Sequence, residues 1–402
     1  MKGSVKAGFE AVGQAFRANF AEREEAGASC CVTVDGEVVA DLWGGEADPE
    51  SGRAWEEDTV SVVFSATKGA TAICAHHLID QGKFGLHTPV ADIWPEFGQG
   101  AKAKATVRMM MDHTVGVPVL REKLKKDGIY DWDYMCERLA SEEPFWNPGE
   151  RGGYHGLTFG WTVGELVRRV SGKSLGTYFA DEIAGPLGLD FWIGLPEEIE
   201  PRVAPMIFRR HQPGDRLPPF LEVGLGQQGS IPSLFLFNSG GFLGNGCNTR
   251  EGHVAELGGA GGITNGRGLA GMYRPFANGG EWGGVKLADE ATIDAMSEVS
   301  AASNLDATLQ IPVRFGPGFM KSMDNRALGL ESAIIGNRAF GHVGAGGSIG
   351  FADPENRISF GYTMNRMGDG LLLNDRGQAL VNAVYESIGG LEISGGAWRR
   401  AT

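Results

Sequence analysis

Nowhere in the 402 residues does an apolar run approach the roughly 18 positions needed to cross a bilayer as a helix. The first twenty residues carry Lys2, Lys6, Glu10 and Arg17 among their apolar positions, so no signal peptide forms and a cytoplasmic protein is expected. Cysteine is scarce: Cys30, Cys31, Cys74, Cys136 and Cys247 are odd in number, two are adjacent, and no C-x-x-C occurs. That pattern fits neither a disulfide framework nor a zinc knuckle. Positive charge is in deficit, with 36 Lys+Arg against 50 Asp+Glu, a formal charge of −14. Without a basic stripe, neither nucleic acid nor an anionic membrane surface is an expected partner. What the chain has in excess is glycine, 63 residues without a Gly-X-Y period, more than twice the usual share of about 7%. Many tight turns and close backbone approaches follow. With 42% hydrophobic residues over this length, a large folded core is assured.

Phe9, Val12, Phe16 and Phe20 recur every three or four positions and predict an amphipathic helix over 5–25. Residues 28–34 and 38–43 read as strands joined at Asp35-Gly36, a two-residue hairpin signal. A second helix is expected over 65–81, with Gly82 as its stop. Between 85 and 265 the pattern is helical pieces (106–111, 131–140 and 162–170) separated by Gly- and Pro-rich loops, with few strands. The last piece carries a Thr162…Glu165 capping box and stops at Gly172. Short β-like runs return at 339–344, 348–352 and 358–364, then a helix over 376–388. Strands at both ends around a helical middle predict one sheet built from both termini.

Two familiar strings fail in context. Gly224-Leu225-Gly226-Gln227-Gln228-Gly229 has the dinucleotide spacing, but Pro218-Pro219 precede it and Ser230-Ile231-Pro232 follow, so it reads as a loop. Gly346-Gly347-Ser348-Ile349-Gly350 has the nucleophile-elbow spacing, yet every histidine lies before Ser348 and a turn follows it, so the Ser, acid, His order cannot be met. His76, His77 and His113 lack metal-ligand spacing and read as packing or surface residues. No metal and no cofactor is expected.

Ser65-Ala66-Thr67-Lys68 is the only S-x-x-K in the chain and sits at a strand-to-helix switch. Positions i and i+3 share a helix face, so Lys68 Nζ can reach Ser65 Oγ, while the helix N-terminus adds positive potential at the nucleophile. The turn from Trp146 to Gly156, rich in Gly and Pro, delivers Tyr154 just before a helix. Gly341-His342-Val343-Gly344-Ala345-Gly346 lets a late strand approach a ligand closely.

In this order the three elements resemble those of the serine β-lactamase and penicillin-binding superfamily, and more narrowly the class C β-lactamase-like carboxylesterases known as family VIII esterases. Met110 to Val117 resembles the family's L-x-x-H-T-S-G-L stretch, and Gly185-Pro186-Leu187-Gly188-Leu189 its P-L-G stretch. The resemblance spans about residues 10–390. It implies an α+β fold, an antiparallel sheet flanked by helices with a mainly helical second domain. The sheet domain would take residues 1–72 and 267–402, the helical one 73–266, and the site would lie between them, lined in part by 238–246 and 258–266. It further implies a Ser65 acyl-enzyme, Lys68 and Tyr154 as proton-transfer groups in either order, an oxyanion hole from the N–H groups of Ser65 and Ala345, and substrate contacts at His342 and Gly344. The expected activity is cleavage of short-chain carboxylic esters, a small-molecule substrate. A β-lactamase or D,D-peptidase-like amide hydrolase, an acyltransferase and a non-catalytic binding module are the alternatives. Tyr154-His155-Gly156 stands where the β-lactamases have Tyr-x-Asn, and His342-Val343-Gly344 where they have Lys-Thr-Gly. Both departures point away from anionic lactams.

Overall fold

The computed structural model describes residues 1–209, 214 and 216–401. Both chain ends feed one antiparallel sheet, in the order Lys2–Val5, Glu37–Asp48, Gly27–Val34, Ile358–Met364, Ile349–Asp353, Phe340–Val343, Phe319–Met320, Val313–Gly316 and Ala301–Ser303. Arg53–Ala54 pairs beside Glu37–Asp48. The expected α+β class and the strands from both termini are borne out. Asp35 and Gly36 turn the first hairpin with φ of +51° and +76°, the twist a two-residue link between antiparallel strands requires.

The central strands are covered on both faces, which explains why Ile358–Met364 is buried along its whole length. Helix Gly266–Ala277 lies across Gly27–Val34, Ile349–Asp353 and Ile358–Met364. A Cβ at Gly361 would sit 2.2 Å from the Gly266 carbonyl oxygen, so glycine is what lets helix and strand touch. The neighbouring Tyr362 points to the other face, where its hydroxyl donates to Glu25 and Glu25 pairs with Arg376 of the Asp375–Ile388 helix. Helices Glu10–Glu22 and Asp375–Ile388 pack together there. A second sheet of Phe191–Ile193, Gly262–Thr264, Val60–Val62 and Val203–Ala204 joins the middle of the chain to the strand that leads into Ser65.

Three local expectations are corrected. The first helix starts at Glu10, because Lys2–Val5 pairs with Ala40 to Trp43 as an edge strand. Thr162 and Glu165 form no capping box: the helix runs Phe159–Ser171, Thr162 lies inside it, and buried Glu165 takes hydrogen bonds from Trp132, Arg168 and Arg169. The stop at Gly172, φ +74°, holds. The 224–229 string is part of a helical pair, Pro219–Gly226 and Ile231–Phe237, started by Pro219 in the first turn and by Ser230, whose hydroxyl accepts the Ser233 N–H. Among the described residues no helix is long and apolar enough to cross a membrane, and no cluster of His, Cys, Asp and Glu could hold a metal. All five cysteines are free and buried.

Candidate active site

Ser65 sits where strand Val60–Val62 breaks into a 3₁₀ turn, Phe64–Ala66, and then into helix Thr67–Asp80. Phe64 has φ +43°, a left-handed conformation that costs a bulky residue of order 1 kcal/mol or more and persists only where its surroundings enforce it. Here Thr67 Oγ1 donates to the Phe64 carbonyl at 2.5 Å and accepts the Gly262 N–H at 2.8 Å. Strand, turn and helix are pinned at the residue before the serine.

Lys68 is fully buried one turn on, with Nζ 3.1 Å from Ser65 Oγ. Nζ also donates to the carbonyls of Gly156 at 2.6 Å and Gly259 at 2.7 Å. No carboxylate pairs with it among the described residues, and burial pushes its pKa well below the ordinary lysine range. Two other buried lysines make a useful contrast: Lys102 and Lys321 each donate to three backbone carbonyls, the full donor count of an ammonium. At Lys68 the third neighbour is a hydroxyl, which can donate back. Three neutral neighbours leave the burial penalty on a Lys68 ammonium without a compensating charge.

The Tyr154 side chain faces Ser65, whose hydroxyl acts on the phenol's pKa, and Lys68 Nζ lies 4.7 Å from its ring centroid. Burial raises the phenol's pKa far above its usual value; the Ser65 hydroxyl opposes this and the Asp306 charge adds to it. The ring stacks on Phe315 at 5.9 Å and meets His113 at 5.0 Å and His342 at 5.9 Å. His155 Nδ1 bonds the Gly153 carbonyl, His155 Nε2 accepts the Val117 N–H, and His113 Nδ1 accepts the His155 N–H. These imidazoles brace the tyrosine loop. Burial drives His155 down to about 3 and His113 well below the imidazole range, so both stay neutral.

The third element approaches from strand Phe340–Val343. Ser348 Oγ donates to the Val63 carbonyl at 2.9 Å, and a Cβ at Gly344 would lie 2.1 Å from that same oxygen. Ser348 is therefore a buried strut. The Gly344 N–H is taken by the Ser348 carbonyl at 2.7 Å, while the N–H groups of Ser65 and Ala345 donate to no acceptor among the described residues. His342 is held by Nδ1 against the Val343 carbonyl at 2.7 Å and leaves buried Nε2 without a partner. Burial, with Lys68 nearby, takes its pKa down to about 3. One residue past Ala345, the Gly346 carbonyl accepts from Gly368 N and Asn374 Nδ2. Met367, Leu373, Asn374 and Arg376 border a cavity of about 1600 Å³ there, with Ile207 and Phe208 on its wall.

All the residues singled out from the sequence, Ser65, Lys68, Tyr154, His342, Gly344 and Ala345, thus gather at one place. Three participants gave no sequence signal. Gly259 contributes only a carbonyl. Phe235 fills the space beside Gly156, where a Cβ would lie 2.2 Å from its ring. Asp306 stands behind Tyr154 and accepts its N–H. Of the Gly-rich segments, 258–266 reaches the site through Gly258, Gly259 and Gly262.

A Ser-x-x-Lys helix start, a facing tyrosine and a strand end across from them, on this sheet topology, are the arrangement of a β-lactamase-like fold. The chain belongs to the Beta-lactamase family, whose model matches residues 13–383. It is 34% identical over 385 residues to the Esterase/beta-lactamase LipL of Mycobacterium tuberculosis, covering 93% of this chain and 85% of that one. Among solved structures it is similar to a family VIII carboxylesterase, with TM-score 0.84 and 35% identity over 96% of this chain and 99% of that one. A penicillin-binding protein homolog from Caulobacter crescentus matches with TM-score 0.83 and 33% identity, over 96% of this chain and 99% of that one. The resemblance to β-lactamase-like carboxylesterases expected from the motifs is borne out.

Proposed function

We propose that the protein is a serine carboxylesterase that cleaves short-chain esters through a Ser65 acyl-enzyme. The observation that carries this reading is the Lys68 environment: a buried amine with two N–H groups spent on Gly156 and Gly259 and its remaining direction on Ser65 Oγ. Neutral Lys68 takes the Ser65 proton as Oγ bonds to the ester carbonyl carbon, and the N–H groups of Ser65 and Ala345 receive the developing oxyanion. Tyr154, a phenol rather than a phenolate, gives its proton to the departing alkoxide as the C–O bond breaks, and recovers one from the Lys68 ammonium. Water reverses the sequence to release the acid. The ammonium and the oxyanion formed together are both discharged when the alkoxide leaves as the alcohol. Residues of 73–266 supply Tyr154 and the two carbonyls on Lys68, while 267–402 supplies Ala345, so the site lies between the two units proposed from the sequence. The free, buried cysteines suit a cytoplasmic setting.

A fluorophosphonate tests the nucleophile directly. The adduct is expected on the peptide that holds Ser65; an adduct on the Ser348 peptide overturns the reading.

Substrate preference follows from what surrounds the acyl site. His342 stays uncharged at any working pH, and Gly156 offers no amide where Phe235 has taken the space. A β-lactam carboxylate finds neither a charged side chain at 342 nor an amide at 156, whereas a neutral ester loses nothing. At pH 7.5, kcat/KM for p-nitrophenyl butyrate should exceed that for a chromogenic cephalosporin by at least about 10²-fold, roughly 2.7 kcal/mol of barrier. Comparable turnover of both would favour the amide-hydrolase alternative.

A further inference from the structure

We propose that Asp306 is a positioning residue for the reaction: its carboxylate, buried behind Tyr154, fixes the phenol against Ser65 and Lys68 by capturing the Tyr154 N–H. The inference rests on the reading of Tyr154 as a proton donor. Tyr154 belongs to a segment that is neither helix nor strand, so no ladder of backbone hydrogen bonds fixes its dihedral angles. Side-chain acceptors must do so instead. The Tyr154 N–H is shared between both Asp306 oxygens, each at 3.0 Å. Asp306 Oδ1 also accepts the N–H groups of Thr308 and Leu309 at 2.8 Å, closing a turn on its own loop. Three donors from two segments far apart in the sequence therefore converge on one carboxylate.

That loop joins edge strand Ala301–Ser303 to Val313–Gly316, and the second strand carries Phe315, the ring stacked on Tyr154. The Ala307 N–H donates to the Gly152 carbonyl at 3.3 Å. One hairpin thus holds the tyrosine by its ring, its N–H and the residue two positions before it. Asp306 is fully buried and makes no ion pair among the described residues, an arrangement that costs stability and would be unnecessary for the turn alone, since an exposed Asx turn closes equally well. Burial raises the Asp306 pKa and the N–H groups of Leu309, Tyr154 and Thr308 oppose that rise; the carboxylate so held behind the ring adds to what favours the phenol over the phenolate. The group that holds the tyrosine in place thus also adds to the burial that keeps it a phenol.

Asp306→Asn keeps the shape and removes the charge and half of the acceptor capacity. It should lower kcat for p-nitrophenyl butyrate by about 10-fold or more with KM within about twofold, because the loss falls on the placement of a transferring group and not on substrate contact. Placed in a Tyr154→Phe protein, which by itself should lose about 10²-fold in kcat, the same substitution should change kcat by less than about twofold, since its target is gone. An equal loss in both backgrounds, or full kcat in folded Asp306→Asn, overturns the inference. Full activity in Tyr154→Phe overturns the reading of the tyrosine itself, a separate failure. Should Asp306→Asn not fold, Asp306→Ser retains an acceptor for the turn but is too short to reach the Tyr154 N–H, and the same cycle applies.

Discussion

Ser65→Ala is expected to lower kcat/KM for p-nitrophenyl acetate by at least about 10⁴-fold, while Ser348→Ala stays within about tenfold of the parent protein. The first change removes the atom that carries the acyl group, and mutants of such nucleophiles fall to the residual level provided by binding and the oxyanion donors. The second removes only a strut: the Val63 carbonyl that Ser348 contacts also accepts the Ala66 N–H, so no buried acceptor is left bare. A loss of about 1 kcal/mol in stability is the scale for such a hydrogen bond. Steady-state kinetics on both variants, with circular dichroism to establish folding, settles the comparison. Equal losses in the two would remove Ser65 from its assigned role.

Lys68→Met should cost about 10³-fold in kcat, within the range for a lost general base, and it carries a second signature in stability. Burial holds the Lys68 pKa well below its unfolded value of about 10.4. The unfolded chain therefore binds this proton more tightly than the native one, and the native state gains stability as pH rises towards the unfolded pKa. Methionine removes that dependence. The stability of the parent relative to Lys68→Met should rise between neutral pH and about 10.4, with a slope of at most about 1.4 kcal/mol per pH unit. Chemical denaturation of both proteins at pH 7, 8 and 9 measures it. A difference that stays flat, or that moves the other way, would mean that Lys68 is held as an ammonium, and its role as the first base would go with it.

How much of this was readable in the amino acids depends on how far apart the partners lie. Ser65 and Lys68 were legible because three residues on a helix fix their own geometry, and the Asp35-Gly36 turn because its dihedral requirements are local. Tyr154 was legible as the residue delivered by a Gly- and Pro-rich turn, with the family pattern supplying its role. The edge strand Lys2–Val5 left no signal before the amphipathic pattern that begins at Val5, because its pairing partner lies nearly forty residues away. The Thr162…Glu165 string satisfied a capping rule, yet the helix began earlier and Glu165 was claimed by two arginines and a tryptophan. Asp306 and Gly259 act on Tyr154 and Lys68 across 152 and 191 residues. A single acidic residue in a loop, or one glycine carbonyl among many, carries no local trace of such a partner.

The contact between Gly156 and Phe235 also constrains the order in which this sequence could change its trade. A lactam-recognising amide at position 156 is one residue away in name, but its Cβ would fall within the Phe235 ring's envelope, so the substitution is harmful until helix Ile231–Phe237 has first given up that aromatic side chain. Losing Phe235 alone opens a void beside the carbonyl that steadies Lys68, again with no gain. Each single step descends, and only the pair could be favoured. Positions 156 and 235 of this chain are thus coupled, since a side chain at the first needs the room that the second now fills.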